Sequence, residues 1–362
     1  GDGCKVWDDQ HRYIDYPCGL GAILLGYAHP EVNDAIISQL RLGTLMTLPH
    51  PLETELAEKL NKMIPCAEQM RFLKTGSEAT SAAVRIGRAY TGKMGIAYCG
   101  YHGWHDWFTC DTPKNNGIPR YYKSEIHKFE YNNILTLESA FRISDIGVVI
   151  LEPYIYDEPK DNFLQKVIDL AHKHGAVVVF DEVVTGFRTL GDSAQKMFGV
   201  TPDLACFGKA MANGLPISVV CGKKKIMQVL EGDTFVSSTF GGELISIAAA
   251  LKTIELLNTQ DITNHIWHMG AILKDGYNQI AKDLDIETSC IGYPCRTMFM
   301  FPTGEHKSLF WQECIKRGVL FGYAQFINYS HKLEDITYTL AVIKEALTVV
   351  KNNWKNPKRA IK

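Results

Sequence analysis

No run of apolar residues in this chain approaches the roughly 20 that a membrane-spanning helix needs, and no secretory leader opens it. The ten cysteines contain no Cys-x-x-Cys pair, and several sit in apolar runs, where a thiol behaves as a small hydrophobe. A cytoplasmic, reducing location is therefore expected. Charge of one sign is also missing: 38 basic residues stand against 40 acidic ones, for a formal net charge of -2, which gives no electrostatic case for nucleic acid or an anionic membrane. There is no G-x-G-x-x-G fingerprint. Gly19, Gly21 and Gly26 mark either a close backbone passage or a surface loop. His102, His105 and Asp106 form an H-x-x-H run without helical spacing or further ligands, so no metal is expected. Internal repeats and low-complexity segments are lacking as well.

What is there is 362 residues, 46% of them apolar, enough for more than one core. Residues 3–16 fit a small hairpin that reads as the middle of a domain, so natural sequence is expected to precede Gly1. Helices are expected over 29–40, 53–63, 163–174 and 244–257, with Gly175 capping the third. Strands are expected at 96–98, 148–151, 176–180, 204–207 and 218–222. Strand, helix and strand in alternation predict a mostly parallel sheet flanked by helices. From about Asp261 the pattern changes to amphipathic helices and strands. The expected division is 1–45 as a segment joining the small domain, 46–258 as the large domain and 259–362 as a smaller α+β domain. Residues 109–133 read as one long polar loop.

Two of the apolar runs end in charge: 176–180 in Asp181–Glu182, and 204–207 in Gly208–Lys209. Ligands of open α/β sheets bind beyond the carboxyl ends of the strands, so Asp181 and Lys209 are placed to face one small molecule; otherwise they are solvated turn residues. A deprotonated lysine traps an aldehyde as an imine. A buried carboxylate on a pyridine nitrogen keeps that nitrogen protonated and makes the ring an electron sink. That pairing is the mark of pyridoxal phosphate enzymes. The phosphate then needs N–H donors, and Thr75, Gly76 and Ser77 open a helix that supplies them, although Ser77 also serves as a routine N-cap. Tyr101, at a strand end, is the candidate for stacking on the ring, with Val183 on the opposite face and His102 also among the cofactor contacts.

The segments Thr75–Gly76–Ser77–Glu78–Ala79, Gly100–Tyr101–His102–Gly103, Leu151–Glu152–Pro153, Phe180–Asp181–Glu182–Val183–Val184–Thr185–Gly186–Phe187–Arg188, Thr201–Pro202–Asp203 and Phe207–Gly208–Lys209–Ala210–Met211–Ala212–Asn213–Gly214–Leu215–Pro216 resemble class III aminotransferases, most of all the glutamate-1-semialdehyde aminomutase branch. The resemblance implies fold type I and a homodimer with sites at the subunit interface. It also implies pyridoxal 5'-phosphate held by a Lys209 imine, Asp181 as the pyridinium partner, Gly76 and Ser77 on the phosphate, Tyr101 on the ring and Glu152 as an acid near the cofactor. Thr239 would reach the neighbouring subunit's site. The reaction implied is ping-pong transamination, with Lys209 moving the proton. An intramolecular aminomutase is the alternative within the class, and a non-catalytic cofactor-binding relic with an assembly role is the alternative outside it.

The sequence departs from the aminomutase pattern where substrates are chosen. The N-terminal carboxylate-binding segment of that branch does not precede Gly1, and residues 101–131 carry Trp104, Trp107, Tyr121 and Tyr122 in place of small residues. Those aromatics either floor a larger acceptor or pack in a dimer or core. Arg188 and Arg296 are both candidates for a substrate carboxylate, and the sequence does not choose between them.

Overall fold

The structure, a computed structural model, describes residues 1–361. It divides into two compact units, one of Ala35–Ile254 and one joining Gly1–Asp34 to the chain from Glu255 onward. The larger unit is built on a seven-stranded sheet. Its strands are β1 (Gln69–Leu73), β2 (Gly95–Cys99), β3 (Ile126–Lys128), β4 (Ile146–Leu151), β5 (Val177–Asp181), β6 (Leu204–Phe207) and β7 (Ser218–Gly222). They lie in the order β1-β7-β6-β5-β4-β2-β3, with β7 antiparallel to both neighbours and every other pair parallel.

Every residue of β2 and of β4 to β7 is buried, which is why these segments read as apolar runs without alternation. Helix α1 (Gly76–Thr91) presents Ala79, Ala83 and Ile86 to the sheet. It approaches closely because Gly87 has no side chain: a Cβ there would lie 2.6 Å from Val148 and 2.8 Å from Val177. Helix α2 (Phe163–Lys173) connects β4 to β5 and buries Phe163, Leu164, Val167 and Ile168. The mostly parallel α/β architecture is the one expected. The 109–133 segment is not one loop, however. It contains a 3-10 turn at Arg120–Glu125 and the edge strand β3, whose three residues, Ile-His-Lys, are too few and too polar to form a pattern. Pairing with β2, Ile96 opposite Ile126, makes it a strand.

In the smaller unit the hairpin Lys5–Trp7 and Arg12–Asp15 joins the two ends of the chain, because its second strand pairs in parallel with Val319–Leu320. A second sheet, Ser289–Tyr293, Arg296–Met300 and Gln325–Phe326, lies in the same unit with helices Ile262–Asp283, Gly304–Ile315 and Leu333–Asn352. Polar side chains thread its core. Asp15 accepts from the Cys18 N–H and the Tyr27 hydroxyl, and Tyr16 donates to Thr339.

His331, wholly buried, packs against Tyr16 with ring centroids 4.8 Å apart and planes tilted by 31°, and its Nδ1 accepts the Asn328 N–H, which requires the neutral ring. Burial pushes its pKa down to about 4, with Asp335 pulling the other way and His265 adding to the fall. The unfolded chain therefore takes up a proton first as pH drops, and stability present above about 6.5 drains away towards 4, by roughly 3 kcal/mol over the interval. Glu182, buried and pushed up to about 7, titrates with the opposite sign over the same range, so the readout is a difference: by chemical denaturation, wild type should lose stability relative to His331→Gln, which cannot titrate, by about 2 kcal/mol between pH 7.5 and pH 5.

Candidate active site

The register of the sheet sets the site. Leu73 pairs with Ser218, Val219 with Phe207, Asp181 with Cys206, Leu151 with Phe180, and Cys99 with Leu151. Five strand ends finish in one row, and Lys74, Gly100, Glu152, Glu182 and Gly208 all step off the same edge. At the β1 end, Thr75 caps α1, its Oγ1 accepting from the Glu78 N–H at 3.2 Å. Glu78 reciprocates by accepting from the N–H groups of Lys74 and Thr75. The capping box consumes the third donor of the helix and leaves those of Gly76 and Ser77 without an intrahelical acceptor, at the positive end of the helix dipole. Ser218, which opens β7, donates to the Thr75 carbonyl at 2.8 Å and pins the turn.

Val183 packs over this turn. A Cβ on Gly76 would stand 2.7 Å from Val183 Cγ1, and one on Gly208 would stand 3.7 Å from it. The glycines therefore keep open a cradle between α1 and the β6 end. Lys209, half-buried, follows Gly208 in a left-handed conformation with φ of 43°, which costs about 1–3 kcal/mol in a residue that carries a Cβ. The turn from Lys209 to Ala212 holds it there, the Met211 N–H returning to the Gly208 carbonyl.

Asp181 ends β5 almost fully buried. Its Oδ1 accepts from the Val183 N–H at 3.1 Å, and its Oδ2 lies 2.8 Å from His102 Nδ1. The other ring nitrogen of His102 meets the Cys99 carbonyl at 3.1 Å. A carbonyl only accepts, so Nε2 carries a hydrogen and one further proton lies between Nδ1 and the carboxylate. Each carboxylate oxygen keeps a second lone pair for a ligand. Glu152, also buried, accepts the Tyr101 N–H at 3.1 Å, which leaves the Tyr101 ring 64% exposed and edge-on to Phe108 at 5.5 Å.

The structure thus joins Gly76, Ser77, Val183, Asp181, His102 and Lys209 around one edge, with Tyr101 and Glu152 beside them. Thr239 is exposed, and no hydrogen bond ties it to the others among the described residues. Arg188 is wholly buried and Arg296 half-buried. His102 and His105 diverge, the second meeting Ser81 Oγ at 2.7 Å. Sequence reasoning missed three supports. Glu182 turns away from Asp181 and accepts from the Ala194 N–H and Gln195, while burial pushes its carboxyl up to about 7. Trp107 donates to Ser81, which ties the aromatic segment to α1. Lys74 pairs with Glu243 at 3.1 Å. Only the adjacency of two acids at a strand end hinted at the first, since strand alternation sends them to opposite faces.

The sequence profile of the family described as Aminotransferase class-III matches residues 1–292. A 3-aminobutyryl-CoA aminotransferase from Cloacimonas acidaminovorans is 37% identical over 97% of this chain and 88% of its own length. Among solved structures, the pyridoxal-phosphate-bound FumI protein of Sphingopyxis sp. MTA144 superposes with a TM-score of 0.93 at 28% identity, over 100% of this chain and 91% of that one. A glutamate-1-semialdehyde aminomutase from Pseudomonas aeruginosa does so at 0.88 and 20%, over 96% and 86%, a likeness of fold.

Gly103 supplies a test of the cradle. Its φ is 102°, and a Cβ there would stand 2.4 Å from Ser77 Oγ, which accepts the Trp104 N–H. Gly103→Ala should weaken pyridoxal phosphate binding about tenfold or more through strain of order 1–3 kcal/mol, with the fold retained by circular dichroism. Equilibrium dialysis of the cofactor measures it; unchanged affinity would show that Ser77 does not need its present position.

Proposed function

Because the chain belongs to the class-III aminotransferases, which use pyridoxal phosphate, we propose that it moves an amino group from a 3-amino acyl thioester to a separate keto acid, with Lys209 as the working amine. The observation that carries the site assignment is the convergence of Asp181, Lys209 and the two unclaimed N–H groups of α1 on one edge. The substrate class rests on the relative at 37% identity.

When bound, pyridoxal phosphate supplies an electron sink for the carbon that loses its proton as its amine is transferred. The residues present fit the group. Gly76 and Ser77 N–H would hold the phosphate, and the glycine cradle under Val183 admits a flat ring with Tyr101 on its other side. Asp181 would hold the proton of the ring nitrogen. His102 backs Asp181 and, through the proton shared at Nδ1, keeps the carboxyl group oriented. Lys209 would hold the cofactor covalently and, once released, carry a proton from the substrate carbon and return it, acting as base and then acid. Glu152 fixes the backbone of Tyr101.

A homodimer is part of this reading. Leu42, Leu48, Trp104, Phe235 and Phe240 are all more than half exposed on the larger unit, which supports their covering by a second copy that brings Thr239 to the phosphate. All ten cysteines are buried and none forms a disulfide, which supports a reducing, cytoplasmic setting. The aminomutase alternative has the resemblance of the sequence segments behind it and, among the structures compared, a likeness of fold.

Purified protein should absorb in the visible, bleach with borohydride, and lose both properties in Lys209→Ala with a fall in transfer rate of at least about 10²–10⁴. Asp181→Asn should lose activity on the same scale. Addition of 3-aminobutyryl-CoA alone should discharge the visible band and release a keto product; conversion without release would indicate an intramolecular transfer instead.

In His102→Gln the proton at Nδ1 is gone while an amide donor to Asp181 remains. The rate-against-pH profile should move and kcat fall more than KM rises. A change in KM alone would assign His102 to packing.

A further inference from the structure

The segment between Tyr101 and β3 encloses a hollow of about 430 Å³, within the range of small-molecule sites, roughly 300–1,000 Å³. Its only charged lining groups are cations, Arg120 and Lys123, and its other polar lining includes the amides of Asn115 and Asn116. Asn115 Nδ2 donates to the Cys110 carbonyl, which leaves the exposed amide of Asn116 available to a ligand. Tyr121, which follows the lining residue Arg120, is 67% exposed and packs against Tyr122 at 4.7 Å, so its outer face is bare. Gly117, with φ of 87°, has open space where a side chain would stand. The other hollows carry acids: Asp285 and Glu287 line one with Lys351, and Glu55 and Glu58 line another.

Two cations without a carboxylate in the lining, amide groups and a bare aromatic face suit a phosphorylated adenine nucleotide: a guanidinium and an ammonium for phosphate oxygens, a ring for the base. The position fits as well. Lys123 Nζ lies 3.6 Å from Asp111, and Asp111 accepts the Tyr98 hydroxyl at 2.8 Å. Tyr98 is on β2, three residues before Tyr101, on the order of 10 Å along an extended chain. The hollow is therefore tied to the strand that delivers Tyr101 to the cofactor edge.

We infer that Arg120, Lys123 and Tyr121 hold the nucleotide end of a coenzyme A thioester while its acyl end reaches the Lys209 edge. This rests on the thioester reading above, and the two are separable by experiment. Holoenzyme is titrated with adenosine 3',5'-bisphosphate by calorimetry, and turnover is compared for 3-aminobutyryl-CoA and for free 3-aminobutyrate. Wild type should bind the bisphosphate, and Arg120→Glu/Lys123→Glu should abolish binding and raise KM for the thioester about tenfold or more, since each lost charged hydrogen bond is worth that much. Its kcat and its rate on the free amino acid should stay unchanged, and Arg120→Lys should retain most of the affinity. If wild type turns over the thioester but the charge-reversed variant shows the same KM, the hollow is not the nucleotide site. If wild type ignores the thioester but binds the bisphosphate at these residues, the substrate class is wrong and the nucleotide site stands. If the bisphosphate does not bind wild type, the proposal is overturned.

Discussion

The lateral register of the large sheet is the constraint on which the rest depends. Lys209 and Asp181 come from neighbouring strands, the α1 cap from a strand on the far side of the antiparallel β7, and Tyr101 and Glu152 from β2 and β4. None of these residues is close to the others in sequence, and they reach one edge only because the paired strands end level. A one-residue slip of any strand would turn its terminal side chain to the opposite face. The fully buried strands make such a slip expensive, because both faces are packed against apolar neighbours. Stability of the core and geometry of the edge are in this sense one property.

The edge also stores strain and desolvation that the core offsets. Lys209 is held at positive φ, Asp181 and Glu152 are carboxyl groups taken out of water, and Gly76, Gly100 and Gly103 give up side chains so that neighbours can approach. Each buried acid is met by donors: Val183 N–H and His102 for Asp181, Tyr101 N–H for Glu152. Glu182 shows the other outcome. With two donors from the 194–195 turn it is still pushed up to about 7, since wholly buried carboxyls resist charge.

Much of this was legible in the sequence, and for a physical reason. Strands buried on both faces lose alternation, so their ends are visible as the first charged residue after an apolar run, and Asp181 and Lys209 are found that way, whereas Glu152 comes from the family resemblance. The glycine turn before a helix marks the start of α1, but the N-cap expected at Ser77 is taken by Thr75, which the Glu78 N–H chooses. What stayed hidden depends on pairing across distance. The partner of His102 is 79 residues away, and a histidine in an H-x-x-H run shows nothing of that. β3 is a strand only because β2 offers it an edge. The Trp107–Ser81–His105 contacts join two segments whose composition carries no sign of each other.

The proton between His102 and Asp181 illustrates how much a second neighbour decides. Were Cys99 O absent from Nε2, the imidazole could be neutral with Nδ1 either bare or protonated, and Asp181 would have no fixed partner. The carbonyl accepts only, so Nε2 must donate, and Nδ1 then faces Oδ2 across 2.8 Å with a proton that one of the two must hold. That proton fixes the carboxyl group's orientation in a nearly dry pocket and leaves Oδ1, which takes the Val183 N–H, a lone pair for a further hydrogen bond. A main-chain carbonyl at the end of β2 therefore governs the carboxyl group at the end of β5, through one ring and without touching it.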